Sequence, residues 1–268
     1  MEHQTLAEIA RAWAEGKTAR APAVQQVRDV TIMDIGGGMS LVMACDALGA
    51  IGSKEHDILR APFQVVGRFT ARVALFELIA AGAAPLVVVN ALSVEMEPAG
   101  RQIIEGIRAE LKDLGLAHVA PITGSTEENM PTTQTALGVV AVGVVATDRL
   151  KIGKGRAGDE VYCIGLPKVG EEVEIGDPEM LQAETLLELA RFDFVHDMVP
   201  VGSRGVAYEA RELARSAGLQ ARLESRCGID LEKSAGPATC AVAALAPDAA
   251  ERLGYVATEP VTWVGRLE

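Results

Sequence analysis

The sequence predicts an α+β fold, because pairs of strands and crossover helices follow one another along its first half. Three consecutive glycines at 36–38 separate two strand-like segments, and proline and glycine mark the ends of the predicted helices. Of the 268 residues, 49% are apolar, which is enough to bury a full core. A charged, glycine-containing stretch over 148–158 predicts a boundary between two domains, residues 1–150 and 151–268.

In the first half of the sequence, we predict a short helix followed by strands and helices in the order β-β-α-β-α-β-β. Thr5 and Glu8 have the spacing of a capping box at the start of that short helix, and residues 17–25 resemble a linker. Strands are predicted over 27–34, 40–46, 86–94, 119–123 and 135–146, and helices over 62–81 and 98–114.

The second half predicts four strands and two helices. The pair Asp177-Pro178 is typical of a helix start, which predicts a helix from there to Arg191, and a second helix is predicted over 203–217. The strands are predicted over 160–166, 220–224, 240–245 and 261–267.

Charge and composition exclude several classes of function. The net charge of −12 disfavours binding to nucleic acid or to an anionic membrane, since both require a basic surface. No apolar run is long enough to span a bilayer, and the N-terminus Met1–Gln4 lacks the basic start of a signal peptide, so we expect a cytoplasmic protein. A phosphate-bearing ligand would need divalent cations to approach so acidic a chain, and Mg²⁺ held by carboxylates is the natural choice.

Cysteine and histidine show no metal-binding pattern. The four cysteines are far apart, without a CxxC, and fall mostly in apolar runs, so we expect buried free thiols at Cys45, Cys163, Cys227 and Cys240. The four histidines also lack the spacing of metal ligands.

Glu77 is the most informative residue, because it falls on the apolar side of the helix predicted over 62–81. Val66, Phe69, Val73 and Phe76 recur at helical spacing, and Glu77 lies one turn after Val73. A carboxylate on the buried side of a helix is unfavourable unless something compensates its charge. The residue is therefore either paired with a basic side chain or placed to hold a cation or a proton.

Other polar residues at the ends of apolar segments are further candidates. Asp46 ends a strand and leads into a glycine-containing loop over 47–54, and Asn90 interrupts the β-branched run 86–94. The polar loop 124–129 follows another strand, and His196-Asp197 precede a glycine-rich helix start. Structural explanations remain open for each: a turn, a solvent-facing or bulged strand position, a solvated loop and a helix cap.

Taken together, these motifs resemble the PurM-like superfamily of aminoimidazole ribonucleotide synthase, thiamine-monophosphate kinase, selenophosphate synthetase and the hydrogenase-maturation dehydratase. The similarity covers roughly residues 28–268. It is carried by Gly-Ser-Lys at 52–54, by the helix ending in Gly-Ala-Ala-Pro at 82–85, by Thr-Gly-Ser-Thr at 123–126 and by His196-Asp197. Segments over 46–57, 66–75 and 123–129 look most like the α-ribazole kinase branch.

The resemblance implies a two-domain PurM-like architecture whose N-terminal domains form a shared β-barrel across a homodimer, with ATP and Mg²⁺ bound in the cleft. It implies metal ligands at Asp46, Glu77, Glu127 and Glu128. It implies nucleotide binding by Gly49, Gly52, Ser53, Lys54, Gly124, Ser125, Thr126 and Asn129. It implies catalytic roles for Lys54, Arg72, His196 and Asp197. Two departures stand out: Ser125 takes the place of a metal-binding Asp, and the loop 165–170 differs from the usual one.

The expected activity is therefore that of an ATP-dependent small-molecule kinase, which phosphorylates the ribose hydroxyl of the nucleoside-like substrate α-ribazole in cobamide salvage. One alternative is a thiamine-monophosphate kinase or an ATP-dependent dehydrative synthase of the same superfamily. A second alternative is a non-catalytic nucleotide-binding protein.

Overall fold

The computed structural model describes residues 5–18 and 22–268. The N-terminus Met1–Gln4 and residues 19–21 of the predicted linker lie outside the described residues. Helix α1, Leu6–Ala14, begins with the predicted capping box: the Glu8 amide donates to Thr5 Oγ1 at 3.3 Å, and the Thr5 amide donates to Glu8 Oε2 at 2.8 Å. These reciprocal bonds satisfy amides that a helix start otherwise leaves free.

We call the first half of the chain the first domain, and the part that follows, which carries the second sheet, the second domain. The first domain is built on a six-stranded sheet with the order β1-β2-β3-β8-β6-β7. Its strands are β1 (Val24–Val27), β2 (Val30–Gly36), β3 (Met39–Gly49), β6 (Ala84–Leu92), β7 (Ile122–Thr126) and β8 (Ala136–Ala146), and a separate short pair is formed by β4 (Ile51–Gly52) and β5 (Leu59–Arg60). Only β6 and β7 pair in parallel within the sheet. The sheet of one chain is open, with β1 and β7 at its edges, so it is not a closed barrel. Sequence reasoning missed β1, which it assigned to the linker.

Helices α2 (Phe63–Ala80) and α3 (Arg101–Asp113) cover one face of this sheet. As predicted, Pro62 precedes α2 and Gly82, at φ 83°, follows it. The two helices approach closely at Gly67 and Gly106, where an added Cβ would collide with the backbone of the other helix. Because α2 also contacts the second domain, it is buried on nearly all sides, and the predicted single apolar stripe is too narrow a description.

The second domain is a five-stranded antiparallel sheet with the order β10-β12-β9-β13-β11. Its strands are β9 (Glu160–Ile164), β10 (Val195–Pro200), β11 (Ala221–Leu223), β12 (Ala241–Leu245) and β13 (Val261–Leu267), and its helices are α4 (Ala183–Arg191), α5 (Gly205–Ser216) and α6 (Ala250–Leu253). Strand β10 was not predicted, although it contains His196 and Asp197. The predicted start of α4 was wrong: Asp177 pairs with Lys168 and accepts from the Glu179 amide, and the helix begins six residues later.

The two domains share one hydrophobic core. It runs from the first sheet across α2 to α4 and one face of the second sheet, while α5 covers the other face of that sheet with a second core. Helix α2 therefore lies where both domains meet. Among the described residues, no helix has both the length and the apolar character needed to cross a bilayer.

All four cysteines are free, but the expected burial holds only in part. Cys163 and Cys240 are buried, Cys227 is half-buried, and Cys45 is exposed. The Cys45 expectation was wrong because its side chain lies on the face of β3 that α2 and α3 leave uncovered.

Candidate functional site

The candidate site begins with a row of residues that crosses the first sheet. Strand register places Asp46 of β3 beside Val139 of β8, which in turn lies beside Asn90 of β6, and Asn90 lies beside Gly124 of β7. Side chains alternate along a strand, and Asp46 follows Val42 and Ala44 on the face covered by α2. Asp46 and Asn90, two candidates from the sequence, therefore lie on the same face of the sheet and at the same level across its strands.

Asn90 is buried and fixes the neighbouring strand rather than facing solvent. Its Nδ2 donates to the Thr123 carbonyl at 3.0 Å, and the irregularity in β6 lies at Pro85–Val87 instead. A Cβ at Gly124 would collide with the Asn90 carbonyl, so a glycine is required at this position of β7.

Glu77 lies on α2 with only 9% of its surface exposed, and it forms no ion pair with any residue that the structure describes. Burial raises its pKa well above the usual range, and the nearby Asp29, Glu209 and Asp46 carboxylates raise it further, against the opposing charge of Arg28. Burial likewise raises the pKa of Asp46 to about 6, with Asp29 adding to the effect. Neither carboxylate forms an ion pair with a described residue, and burial outweighs the partial compensation that each receives. A bound cation would relieve this arrangement.

Two members of this group were missed by sequence reasoning. Asp29 is exposed in the turn between β1 and β2, and Glu209 of α5 is 4% exposed, with a pKa raised to about 7 by burial and by Asp29. We call Asp29, Asp46, Glu77 and Glu209 the carboxylate cluster. Glu209 lies three residues after the buried Val206 on its helix, so the argument applied to Glu77 would have identified it. Asp29 gave no such signal, because Asp is common in turns.

The cluster fits a divalent cation in its chemistry. Carboxylate oxygens are the ligands that Mg²⁺ prefers, and at least two of these carboxylates form no ion pair with a described residue. Within residues 5–18 and 22–268, however, no three His, Cys, Asp or Glu side chains already stand in a metal-holding arrangement. Asp46 and Glu77, with Asp29 and Glu209 beside them, are thus the residues that would hold the ion.

The glycine loop after β3 is held in a defined shape. Asp57 accepts hydrogen bonds from the Lys54 amide at 2.8 Å and from Thr135 Oγ1 at 2.7 Å, and Gly52 approaches that pair too closely for any side chain. Ser53 Oγ donates to the Ala61 carbonyl at 2.8 Å, while Gly49 ends β3. The Lys54 ammonium lies 2.7 Å from Glu95 Oε2.

The polar loop at 124–129 is held mainly by its own hydrogen bonds. Glu127 accepts from the Asn129 amide at 2.6 Å, and Glu128 accepts from Thr126 Oγ1 at 2.7 Å and from the Met96 amide at 2.8 Å. Ser125 is exposed, level with Ala91 of the neighbouring strand. The structure therefore does not bring Glu127 or Glu128 into the carboxylate cluster.

Arg72 lies on a different side of α2 from Glu77. It donates to the Leu181 carbonyl and pairs with Glu110 at 3.3 Å, and its guanidinium lies 4.3 Å from the centre of the Phe76 ring. It lines a separate cavity of about 240 Å³ between α2, α3 and the segment 174–184.

His196 and Asp197 both have structural partners. His196 Nδ1 lies 2.8 Å from Asp159 Oδ2. Asp197 is fully buried: its Oδ1 accepts from Arg28 at 2.8 Å, and its Oδ2 accepts from the Gly153 amide at 2.8 Å and from the Lys154 amide at 3.3 Å. The two residues thus join β10 to the interdomain segment, and Asp197 also joins it to the first domain.

Comparison with known proteins agrees with this architecture. Residues 27–145 match the family described as AIR synthase related protein, N-terminal domain. A selenide, water dikinase of Pseudomonas straminea is 26% identical over 216 residues, which is 74% of this chain and 57% of the relative. One from Paraburkholderia xenovorans (strain LB400) is 26% identical over 172 residues, 59% of this chain and 48% of the relative. The chain spans about half the length of these curated relatives.

Solved structures show that the fold is PurM-like. Thiamine-monophosphate kinase from Stenotrophomonas maltophilia K279a superposes with a TM-score of 0.62 at 19% identity, covering 99% of this chain and 95% of that one. T. maritima PurL complexed with ATP gives a TM-score of 0.62 at 19% identity, covering 100% of this chain and 46% of that one. The predicted α+β, PurM-like fold is thereby confirmed, while the α-ribazole kinase branch stays a prediction.

Proposed function

We propose that this protein is an ATP-dependent kinase that transfers a phosphoryl group to a hydroxyl of a small molecule. The observation that carries the proposal is the carboxylate cluster at the junction of the two domains, where Asp46 and Glu77 have raised pKa values and contact no basic side chain of the described part of the chain. The fold is one shared with a thiamine-monophosphate kinase and with an ATP-complexed PurL, which supports nucleotide use.

Phosphoryl transfer depends mainly on positioning and on neutralising charge, and both fit the cluster. Mg²⁺ bound there would bridge the phosphates and offset their charge against a chain of net charge −12. Asp46 and Glu77 would hold the ion on the side of the first sheet, and Glu209 would face it from the second domain.

We assign the nucleotide to the two glycine-containing segments of the first domain. The segment 49–54 is held by Asp57, and the segment 124–126 is held by Asn90, so both present a fixed backbone next to the sheet. Lys54 is the basic side chain of the first segment and would exchange Glu95 for a phosphate. His196 and Asp197 would act through the domain junction, because His196 Nδ1 and both carboxylate oxygens of Asp197 already have partners.

The acceptor that we favour is α-ribazole. Three segments of the sequence resemble that kinase branch, and the altered loop at 165–170 differs from that of the thiamine and purine enzymes. A nucleoside brings no phosphate of its own. Each additional pair of like charges about 4 Å apart costs about 1 kcal/mol in water and more when partly buried.

Incubation with Mg·ATP and each candidate acceptor, followed by mass spectrometry, tests this assignment. We expect α-ribazole to gain one phosphoryl group and thiamine monophosphate to react poorly. Efficient turnover of thiamine monophosphate with none of α-ribazole would contradict the branch and leave a kinase of another specificity.

A second candidate is an ATP-dependent enzyme that does not leave phosphate on an alcohol. The similarity to selenide, water dikinases over 74% of the chain favours it. A coupled assay separates the two candidates, since a kinase yields phosphorylated acceptor and ADP, whereas the alternative releases free phosphate.

We also propose a homodimer formed through the uncovered face of the first sheet. On that face Cys45 and Ala47 of β3 lie exposed beside half-buried valines of β6 and β8, around a shallow pocket of about 380 Å³. A broad apolar sheet face is normally covered by a partner. Light scattering at micromolar concentration should give twice the chain mass, and Val140→Asp should shift it to the monomer mass. A monomer for the unaltered protein would contradict the proposal.

A further inference from the structure

Arg28 occupies a strained position at the edge of the carboxylate cluster. It forms the two-residue turn between β1 and β2 together with Asp29, and its φ of 53° is uncommon for a residue with a side chain. Register pairs Val30 with Ala44, so this turn lies next to Cys45 and Asp46 of β3. Strained backbone of this kind is often retained where it positions a functional group.

The Arg28 side chain extends from this turn into the junction of the two domains. It is 5% exposed, and one terminal nitrogen, Nη2, donates to Asp197 Oδ1 at 2.8 Å. The other terminal nitrogen, Nη1, is buried and has no hydrogen-bond partner among residues 5–18 and 22–268. Buried donors without partners are rare in folded proteins, because the lost hydration is not replaced.

The surroundings of Arg28 are those of the candidate site. Its charge lowers the pKa of Glu77 and of Glu209 against the effect of burial, although neither carboxylate lies within ion-pair distance of it. The guanidinium thus carries a positive charge beside the cluster, with one donor unused.

We propose that Arg28 contacts the ligand, with Nη1 donating a hydrogen bond to a phosphate oxygen of the bound nucleotide. This inference rests on the proposed function. Arginine suits the task because it remains charged and its nitrogens can bond two different acceptors at once. Nη2 remains hydrogen-bonded to Asp197 of the second domain. Arg28 would therefore contact the nucleotide and the second domain at the same time.

Calorimetry with Mg·ATP tests the inference, using the full chain and its Arg28→Met and Arg28→Lys variants. Arg68→Met is the matched control, since Arg68 is also largely buried and ion-paired but bonds Glu110 and Asp113 on the other side of α2. We expect Arg28→Met to weaken Mg·ATP binding ten- to hundredfold and Arg28→Lys to weaken it three- to tenfold. The control should bind within twofold of the unaltered protein, whatever its stability.

Two results would overturn the inference, and they differ from each other. If the unaltered protein binds Mg·ATP and both Arg28 variants bind it equally well, Arg28 only ties the domains together. If Arg28→Met does not fold, Arg28→Lys alone decides the matter in the same way. If the unaltered protein does not bind Mg·ATP, the proposed function itself is contradicted.

Discussion

Two buried glutamates on the neighbouring helices α2 and α3 show how the same residue type serves different purposes. Glu110 is fully buried and pairs with Arg68 at 2.9 Å and with Arg72 at 3.3 Å. Glu77 is almost as buried and faces other carboxylates without an ion pair. Burial raises the pKa of both, but only at Glu110 do basic partners offset much of that effect. Pairing within the chain indicates a structural role for Glu110, whereas Glu77, which is not ion-paired with any described residue, is the glutamate that we propose to hold a cation.

The largest expected difference is in catalysis. Glu77→Gln should lower turnover with Mg·ATP by a factor of about 10²–10³, because it removes a charge that positions the phosphates. Its unfolding temperature should equal or exceed that of the unaltered protein, since no ion pair is lost. Steady-state kinetics and thermal unfolding measure the two effects. Glu188→Gln on the surface of α4 is the control, and full activity in Glu77→Gln would refute the role.

At Glu110 we expect the opposite result, a loss of stability without a loss of Mg·ATP binding. Glu110→Ala leaves Arg68 and Arg72 without their buried partner, which should reduce the free energy of unfolding by about 3–5 kcal/mol. Urea denaturation measures the loss. Affinity for Mg·ATP below the unfolding transition should not change. If Glu110→Ala were stable but bound Mg·ATP poorly, the Glu110 side of α2 would be the ligand-binding side, which would contradict the structural role given to Glu110.

Stability should fall with rising pH in the metal-free protein. Glu209 has a pKa of about 7 when folded against an ordinary value of 4.5, so the folded state holds its proton more tightly and that stabilisation is lost as pH rises through this window. Asp46, at about 6 against 3.8, acts in the same direction. For Glu209 the effect is on the order of 2–3 kcal/mol.

Urea unfolding at pH 5 and pH 8 in the presence of a chelator checks this expectation. Glu209→Gln should lose less stability between the two values than the unaltered protein does. Equal losses would show that Glu209 titrates normally.

The smallest effect on stability is expected at Asp113, the most exposed member of the group of ion pairs that Glu110, Arg68, Arg72 and Asp113 form. Asp113 pairs with Arg68, but its side chain is 44% exposed, so Asp113→Asn should cost no more than about 1 kcal/mol. Denaturation side by side with Glu110→Ala makes the comparison quantitative. If Asp113→Asn reduced the free energy of unfolding as much as Glu110→Ala does, the difference in burial between Asp113 and Glu110 would not determine their contributions to stability.

Local sequence signals predicted most of the helices and strands, but they did not predict which side chains contact one another between the two domains. The α2 helix was evident from Pro62 and Gly82, and the apolar placement of Glu77 was visible in the sequence alone. Strand β10 was missed because His196 and Asp197 interrupt its apolar pattern, and their partners, Asp159 and Arg28, are distant in sequence. The start of α4 was misplaced because a salt bridge to Lys168 occupies the expected cap, Asp177.

The candidate site was predicted in the same uneven way. Asp46 and Glu77 come from separate elements, and the sheet register and the packing of α2 bring them together. The resemblance implied a catalytic role for Arg72, but a difference of five residues from Glu77 turns Arg72 to another side of α2. Asp29 and Glu209 join the cluster only through tertiary packing.

The most direct test of the account is the affinity for ATP measured by calorimetry, with and without Mg²⁺, for the unaltered protein and for Glu77→Gln. We expect tight binding only for the unaltered protein with Mg²⁺, and binding at least tenfold weaker in the other three experiments. Equal affinities in all four experiments would contradict the claim that the carboxylate cluster is a metal-dependent nucleotide site.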